Sequence, residues 1–168
     1  MNRSVRVRWL VAVEAVVAAS GISVAPAHAA PSVTRLTMVT NLISDGAKTL
    51  SVDGGHVYGS NHLVASTLVA GAPATVDLSA LVNYDNGTGP FTFATTFTLV
   101  DGSTLAVWCE GTSVKDATGT SHFTGPLSII GGTGKYAGAT GAGSVVGSRS
   151  GALGSPVVLT YRLILKSS

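Results

Sequence analysis

The residues best suited to chemistry lie in a hairpin that spans residues 91–111. Its first strand alternates aromatic and small residues, and Asp101-Gly102 predicts a two-residue turn into the second strand. That turn would pair Phe93 with Glu110, and partners across such a hairpin point to the same face. The predicted face then carries Phe93, Thr95, Phe97, Trp108 and Glu110. The sequence leaves open which face of the hairpin points inward; if this one does, desolvation beside the aromatic rings would suit the carboxylate to general acid or base work.

Glu110 and Tyr161 are the candidate catalytic residues. Glu110 is the only Glu after residue 14, and desolvation beside aromatic rings would suit it to proton transfer. The alternative is that Glu110, followed by Gly111, ends its strand at a wet rim. Tyr161 could donate from the last predicted strand, although its parity with Leu159 and Leu163 favours packing. Phe93, Thr95, Phe97 and Trp108 are the predicted ligand-binding residues.

Neither a metal site nor a nucleophile is predicted. The histidines have no Cys or acid at ligand spacing, and His56 and His62 are expected to be ordinary residues on either side of a turn. No G-x-S-x-G elbow is present. Cys109 has the opposite parity from Glu110, so we expect a buried, inert thiol. No cofactor is expected.

The segment "IIGGTGKYAGATGAGSV" (129–145) is rich in glycine, like a phosphate-binding loop, but lacks the residues that such a loop requires. A P-loop needs Gly where Ile129 stands and Ser or Thr where Tyr136 stands. No βαβ unit follows that could make a dinucleotide site. We therefore expect Gly131, Gly132 and Gly134 to let the chain leave one strand and turn sharply. Tyr136 would anchor this turn in the apolar layer.

The first 29 residues are expected to be a secretory signal peptide. Three arginines precede an apolar run at 9–19, and Ala27-His28-Ala29 offers small residues for cleavage. An uncleaved membrane anchor is the alternative, although Glu14 interrupts the short apolar run. Three of the ten basic and one of the eight acidic residues lie in this segment, so residues 30–168 have no net charge. We therefore expect a secreted protein that binds neither nucleic acid nor, after cleavage, a membrane.

Residues 30–168 are predicted to form a single all-β domain. Runs rich in Val, Thr and aromatic residues are separated by Gly, Asn and Asp turns, and no long helix is evident. Nine runs, the short stretch 48–58 among them, are expected to form about eight strands: 33–43, 48–58, 62–71, 75–84, 91–100, 103–111, 121–130, 143–151 and 155–166. This spacing is typical of a sandwich or a barrel. With Cys109 as the only cysteine, no internal disulfide can form.

The glycine segment resembles a motif of plant dirigent proteins. "GGTGKYAGATG" (131–141) stands between two strands, as does their GGTGKF stretch, which a short helical turn and a glycine (here Gly141) follow. It is also similar to the GTG-containing turn of allene oxide cyclases and to "GGTGRFAGATG" in exported bacterial proteins. The resemblance implies a closed, eight-stranded antiparallel barrel with an apolar cavity, and a β-sandwich is the alternative. Thr140 stands where dirigent proteins carry an arginine, so no role of that arginine carries over.

Three functions follow from these observations. The resemblance implies a cofactor-independent cyclase or isomerase that confines an apolar polyketide- or fatty-acid-derived substrate, with acid–base help from Glu110 and Tyr161. A non-catalytic carrier of an apolar small molecule and a solidly packed surface barrel are the alternatives. A cavity with an ordered polar group favours the first, a smooth apolar cavity the second, and no cavity the third. Plant relatives are often trimers, which leaves a homo-oligomer open.

Overall fold

The computed structural model describes residues 32–167 as a closed antiparallel β-barrel of eight strands. The strands are β1 (Ser32–Val52), β2 (His56–Val69), β3 (Ala72–Asp85), β4 (Gly89–Leu99), β5 (Thr104–Lys115), β6 (Thr120–Gly132), β7 (Thr140–Ser150) and β8 (Val157–Ser167). Each strand pairs with the next along the chain, and β8 pairs with β1. The predicted barrel is confirmed, and the sandwich alternative is wrong. The predicted signal peptide, residues 1–29, lies outside the described residues.

The core follows from the alternation of side chains along each strand. The buried residues of β4 include Phe91, Phe93, Phe97 and Leu99, whereas Thr92 and Thr98 point outward. They alternate because successive side chains point to opposite faces of a sheet. The inward residues of all eight strands form one apolar core. Closure also pairs each of the eight described strands on both sides, so none of these strands leaves an exposed edge to pair with other chains.

β1 is the strand that closes the barrel, and it is longer than predicted. Residues 48–58, predicted as a strand of their own, divide between the end of β1 and the start of β2, on either side of the 3₁₀ turn Asp53–Gly55. Up to Leu42, β1 pairs with β8, and from Ile43 onwards it pairs with β2. A bulge between Ser44 and Gly46 follows this exchange of partners. Bulges bend and twist a strand, which suits a strand that must turn from one neighbour to the other.

The barrel has two different ends. One end holds the tight turns β2–β3 and β4–β5 and the longer β6–β7 connection, residues 133–139. The opposite end holds the connections 53–55, 86–88, 116–119 and 151–156, and we call this end the mouth.

Candidate functional site

The β4–β5 hairpin has a different register from the predicted one. Leu99 N donates to Ser103 O at 2.9 Å, and Gly102 N donates to Leu99 O at 2.9 Å, so the loop has three residues rather than two. Gly102 has a φ of +81°, which is the hairpin geometry in which a left-handed residue follows a type I turn. Ser103 N also donates to the Asp101 carboxylate at 2.9 Å, and this bond stabilises the longer loop.

The shift of one residue moves every side chain of β5 to the other face of the sheet. Phe93 pairs with Cys109, and Glu110 pairs with Thr92. The predicted common face is therefore wrong, because Trp108 and Glu110 lie on the outer surface. Trp108 Nε1 donates to Glu110 Oε1 at 3.3 Å, and Glu110 is exposed. Glu110 consequently does not face the aromatic interior on which its predicted acid–base role depended.

Tyr161, Thr95 and Phe97 form a packed layer inside the barrel. Each of the three is at most 1% exposed. The Tyr161 hydroxyl lies 3.2 Å from Thr95 Oγ1, and the Tyr161 and Phe97 rings meet edge to face with centroids 5.2 Å apart. Burial strongly raises the pKa of Tyr161, so its hydroxyl keeps its proton at neutral pH. In this conformation the three side chains are core, out of reach of a ligand.

Phe93 lies nearer the mouth, at a small interior cavity. The cavity has a volume of about 40 Å³, which is room for about one water molecule. The rings of Phe91 and Phe93 stack with centroids 5.8 Å apart, and Phe123 packs edge-on against Phe91 at 5.7 Å. The apolar cavity implied by the resemblance is therefore small, because aromatic side chains from several strands fill the space.

A second cavity, of about 250 Å³, lies at the mouth. Tyr84, Arg149 and Leu153 line both this cavity and the interior one, so these three side chains separate the two. The rest of the mouth cavity is lined by Gly55, Val57, Asn86, Gly87, Lys115, Ser121, Gly151 and Ala152. The mouth thus combines small, polar and basic residues, with the aromatic interior directly behind them.

Arg149 is a buried cation at the mouth, only 5% exposed. Its guanidinium carbon lies 5.5 Å from the ring centre of Phe123 and 5.9 Å from that of Tyr84, and its Nε donates to Gly151 O at 3.3 Å. Among the side chains that the structure describes, no carboxylate forms an ion pair with Arg149. Burial lowers the pKa of Arg149 and raises that of Tyr84. Arg149 stays protonated even so, and the desolvation of its charge is unfavourable.

Leu153 covers the interior cavity from the loop between β7 and β8. It is half-buried and packs against the core. It stands between Gly151 and Gly154, whose φ angles are +109° and +97°. Its Cδ2 lies only 2.5 Å from where a Cβ on Gly59 of β2 would be. Leu153 therefore reaches across the mouth into a space that the absence of a side chain on Gly59 provides.

Sequence reasoning did not select Arg149, Tyr84 or Leu153. The parity of β7 could have found Arg149, which lies four residues after the inward-facing Val145. Likewise, Tyr84 shares its parity with Val82. Nothing in the sequence marks Leu153, because its position depends on the path of a loop across the mouth.

The glycine segment closes the opposite end of the barrel. Gly134–Tyr136 is a 3₁₀ turn in which Lys135 N donates to Ser103 Oγ at 3.2 Å, so the segment docks on the β4–β5 hairpin. Gly134 has a φ of +57°, and a Cβ there would lie 2.3 Å from Ser103 Oγ. A Cβ on Gly132 would lie 2.6 Å from Tyr136 O. Tyr136 itself is partly buried against the core.

Gly131 and Gly141 lie on either side of this turn. Gly131 faces Ala106 at an irregularity in the β5–β6 ladder. A Cβ on Gly141 would lie 2.0 Å from Ile164 O of β8. These glycines therefore shape the backbone at the closed end, far along the strands from the mouth.

Cys109 is buried, as expected. It is 0% exposed, and burial is the main cause that raises the pKa of its thiol to about 12. Within residues 32–167, no group of three or more His, Cys, Asp or Glu side chains is arranged to hold a metal ion. No helix in that range has the length and apolar character needed to cross a membrane.

His62 links three strands on the outer surface. Both His56 and His62 lie within β2, so the predicted turn between them is wrong. His62 Nδ1 contacts the carboxylate of Asp45, at the β1 bulge, and Nε2 lies 2.9 Å from Asp77 Oδ2 on β3. The pKa of His62 is raised, first by the hydrogen bond to Asp45 and then by that to Asp77.

We expect this link to weaken in alkaline solution. A protonated imidazole donates to both carboxylates, whereas a neutral one donates to only one. Since the folded-state pKa is raised, the stabilisation is complete below the unfolded value of about 6.5 and is lost as the pH rises through the folded value. Solvent screens the pair, so the effect should stay below about 1 kcal/mol. The thermal midpoint of the wild type minus that of His62→Gln, followed from pH 6 to 9, should fall with pH; a constant difference would contradict the prediction.

A shallow groove crosses the outer surface of β1–β4. Its volume is about 610 Å³, and it includes Leu50, Tyr58, Leu81 and Pro90. A neighbouring depression of about 600 Å³ includes His62, Ala94 and Trp108. Trp108, predicted to bind a ligand inside the barrel, therefore lies at this outer surface instead.

Comparison with known proteins places the fold. Neither a family model nor a curated protein matches the sequence. A solved pterocarpan synthase dirigent protein aligns with a TM-score of 0.55, over 84% of this chain and 88% of that chain. The barrel has a dirigent-like fold. At 11% sequence identity the likeness concerns the fold alone, and the functional residues have to be argued from this barrel itself.

Proposed function

We propose that this dirigent-like barrel binds a compact, largely apolar small molecule at its mouth. The observation that carries the proposal is the position of Arg149, a buried cation between a 250 Å³ cavity and an aromatic interior. Small-molecule sites are typically apolar concavities with a few placed polar groups. Binding of a small molecule also fits a fold that a pterocarpan synthase shares.

We favour binding without catalysis over the alternative of a cyclase that works by confining its substrate. Ligand pockets usually enclose roughly 300–1,000 Å³, whereas the interior cavity measures about 40 Å³. Tyr161 is packed within the core and Glu110 lies outside the barrel, so neither candidate catalytic residue faces the mouth. A cyclase acting on a polyketide- or fatty-acid-derived chain would require the core to open.

Native mass spectrometry of the protein from its producing organism tests the proposal. A bound small molecule in one-to-one ratio is the expected result. A protein that carries no bound molecule and that also binds no compound of an apolar panel would favour the solidly packed, non-binding barrel. The same sample tests two further proposals: an N-terminus after residue 29 would support export, and a multiple of the chain mass would support a homo-oligomer.

Removing the Leu153 side chain should open the path between mouth and interior. Leu153→Ala is expected to increase the binding of a small apolar probe, such as toluene. Shifts of the NMR signal of the Phe93 amide measure this binding. The substitution should cost about 1–2 kcal/mol of stability, because a half-buried Leu contributes less than a fully buried one.

Leu68→Ala is the matched control for this experiment, because Leu68 is 58% exposed on the outer surface. It should leave probe binding unchanged. If Leu50→Ala, in the outer groove, altered binding while Leu153→Ala did not, the ligand would sit outside the barrel and the mouth would be the wrong site.

A further inference from the structure

The mouth cavity is lined by cations, whereas Asp53, Asp85 and Asp116, at the same end of the barrel, lie outside its lining. Its two cations are Arg149 and Lys115, and no Asp or Glu is among the residues that line the mouth or the interior cavity. Asp116 lies nearby in sequence, but its carboxylate accepts from Thr118 and Thr120 and faces His122 at 2.8 Å. The charge of Arg149 is therefore not balanced by any described side chain at the site.

The guanidinium of Arg149 is held in a fixed orientation. It lies near the rings of Tyr84 and Phe123, and its Nε is engaged by Gly151 O. Within residues 32–167, the side-chain hydrogen bond of Arg149 uses Nε and leaves the terminal amino groups for other acceptors. The planar fork of an arginine matches a carboxylate in a bidentate pair, which is both strong and specific in geometry. A bound anion would also offset the unfavourable burial of the Arg149 charge.

We propose that the ligand of the mouth is a compact monocarboxylate, whose carboxylate pairs with Arg149 and whose aromatic or branched body lies in the mouth cavity against Val57, Tyr84 and Leu153. This inference rests on the proposed function and specifies its ligand class. Ser121, which pairs with Arg149 between β6 and β7 and lines the mouth, adds a hydroxyl group to the site.

The size and shape of the site set the limits of the ligand. The mouth cavity, of about 250 Å³, suits a single ring with a carboxylate rather than a long chain. Val57, Tyr84 and Leu153 line the mouth cavity and favour an apolar body, since burial of apolar surface stabilises a complex. A free inorganic anion would satisfy Arg149 but would leave this apolar surface uncovered.

Three probes test the inference on the wild-type protein. Benzoate has the proposed chemistry, benzamide is a neutral molecule of nearly the same shape, and inorganic phosphate is an anion without an apolar body. Titrations at neutral pH and low ionic strength, followed by calorimetry and by the amide NMR signals of Gly87 and Gly151, should show benzoate binding about tenfold or more tightly than benzamide. Phosphate should bind more weakly than benzoate.

The outcomes separate this inference from the proposed function. Equal binding of benzoate and benzamide would overturn the carboxylate assignment but leave a small-molecule site at the mouth. Phosphate binding as tightly as benzoate would overturn the requirement for an apolar body. If neither organic probe shifted the signals of the mouth, the compact-monocarboxylate inference would fail, and the native mass spectrum would decide the proposed function.

Variants then assign the effect to one side chain. Arg149→Gln should weaken benzoate binding about tenfold or more and leave benzamide nearly unchanged. Lys166→Gln, the matched loss of an exposed cation near the closed end of the barrel, should change benzoate affinity by less than about threefold, because solvent screens its charge. Unchanged benzoate affinity in a folded Arg149→Gln protein would overturn the inference. If that variant does not fold, Arg149→Lys keeps the charge without the fork and should still lose most of the preference for benzoate over benzamide.

Discussion

Replacement of Phe97 by alanine should lower the free energy of unfolding by about 3–5 kcal/mol. Phe97 is 0% exposed and packs edge to face against Tyr161, so truncation would leave a cavity that rigid neighbouring strands cannot fill. Domains of this size are stable by only about 5–15 kcal/mol, and the loss would be a large fraction of the total. Urea unfolding, followed by fluorescence and circular dichroism, measures it directly.

The experiment also distinguishes a core residue from a ligand-lining one. If Phe97 lined an open cavity, as its predicted role as a ligand-binding residue implied, its truncation would remove few packing contacts and cost much less. Thr98→Ala is the matched control, since Thr98 is the next residue in β4 and faces solvent. It should change stability by less than about 1 kcal/mol. A loss below about 1 kcal/mol in Phe97→Ala would show that the interior is not packed as described.

The closed barrel could be predicted from the sequence because its signals are local and repeated. Alternating strands such as 91–100 and turn residues between them recur along the chain, and the glycine segment resembles one known barrel motif. The exact number of strands could not be predicted in the same way, because Ser32–Val52 forms the single strand β1 across a bulge. A bulge leaves the strand-forming composition unchanged, so the sequence of residues 33–43 and 48–52 does not show that they form one strand.

The face of β5 could not be predicted from the sequence, and the site depended on it. Asp101-Gly102 fits both a two-residue loop and the last two positions of a three-residue loop. The difference is one residue of register, yet it exchanges Trp108 and Glu110 for Val107 and Cys109 on the inner face. Because side chains alternate along a strand, a small uncertainty in a turn becomes a complete reversal of the predicted site.

The size of the cavity could not be predicted from the sequence either. Barrels of eight strands can either be filled by side chains or hold one small ligand. Which of the two occurs depends on how rings such as Phe91, Phe93 and Phe123 meet across strands that are distant in sequence. The alternation of side chains along β7 predicts that Arg149 points inward. Its lack of an acidic partner, by contrast, depends on the positions of all the neighbouring strands.

Two glycines of β7, the strand into which the glycine segment leads, have a structural role of their own, and this role leads to the strongest expected effect of a single added side chain. In β7, a Cβ on Gly143 would lie 2.1 Å from Arg162 O of β8 and 2.8 Å from Leu163 Cδ2. Gly147 shows the same approach, with Val158 O at 2.2 Å. The inner face of β7 therefore carries glycines where β8 comes too close for any side chain, and the large residues of β8 fill the core instead.

Gly143→Val should consequently destabilise the barrel by about 3 kcal/mol or more, because the clash is with backbone that the β7–β8 ladder holds in place. Ser144→Val introduces the same side chain one residue later, on the exposed face of β7, and should be neutral within about 0.5 kcal/mol. Soluble yield and urea unfolding of both variants give the comparison, with Gly143→Ala as the milder change if the valine variant does not fold. Equal stability of the Gly143 and Ser144 variants would mean that β7 and β8 are further apart than described, and that the glycines of this strand are there for some reason other than close approach.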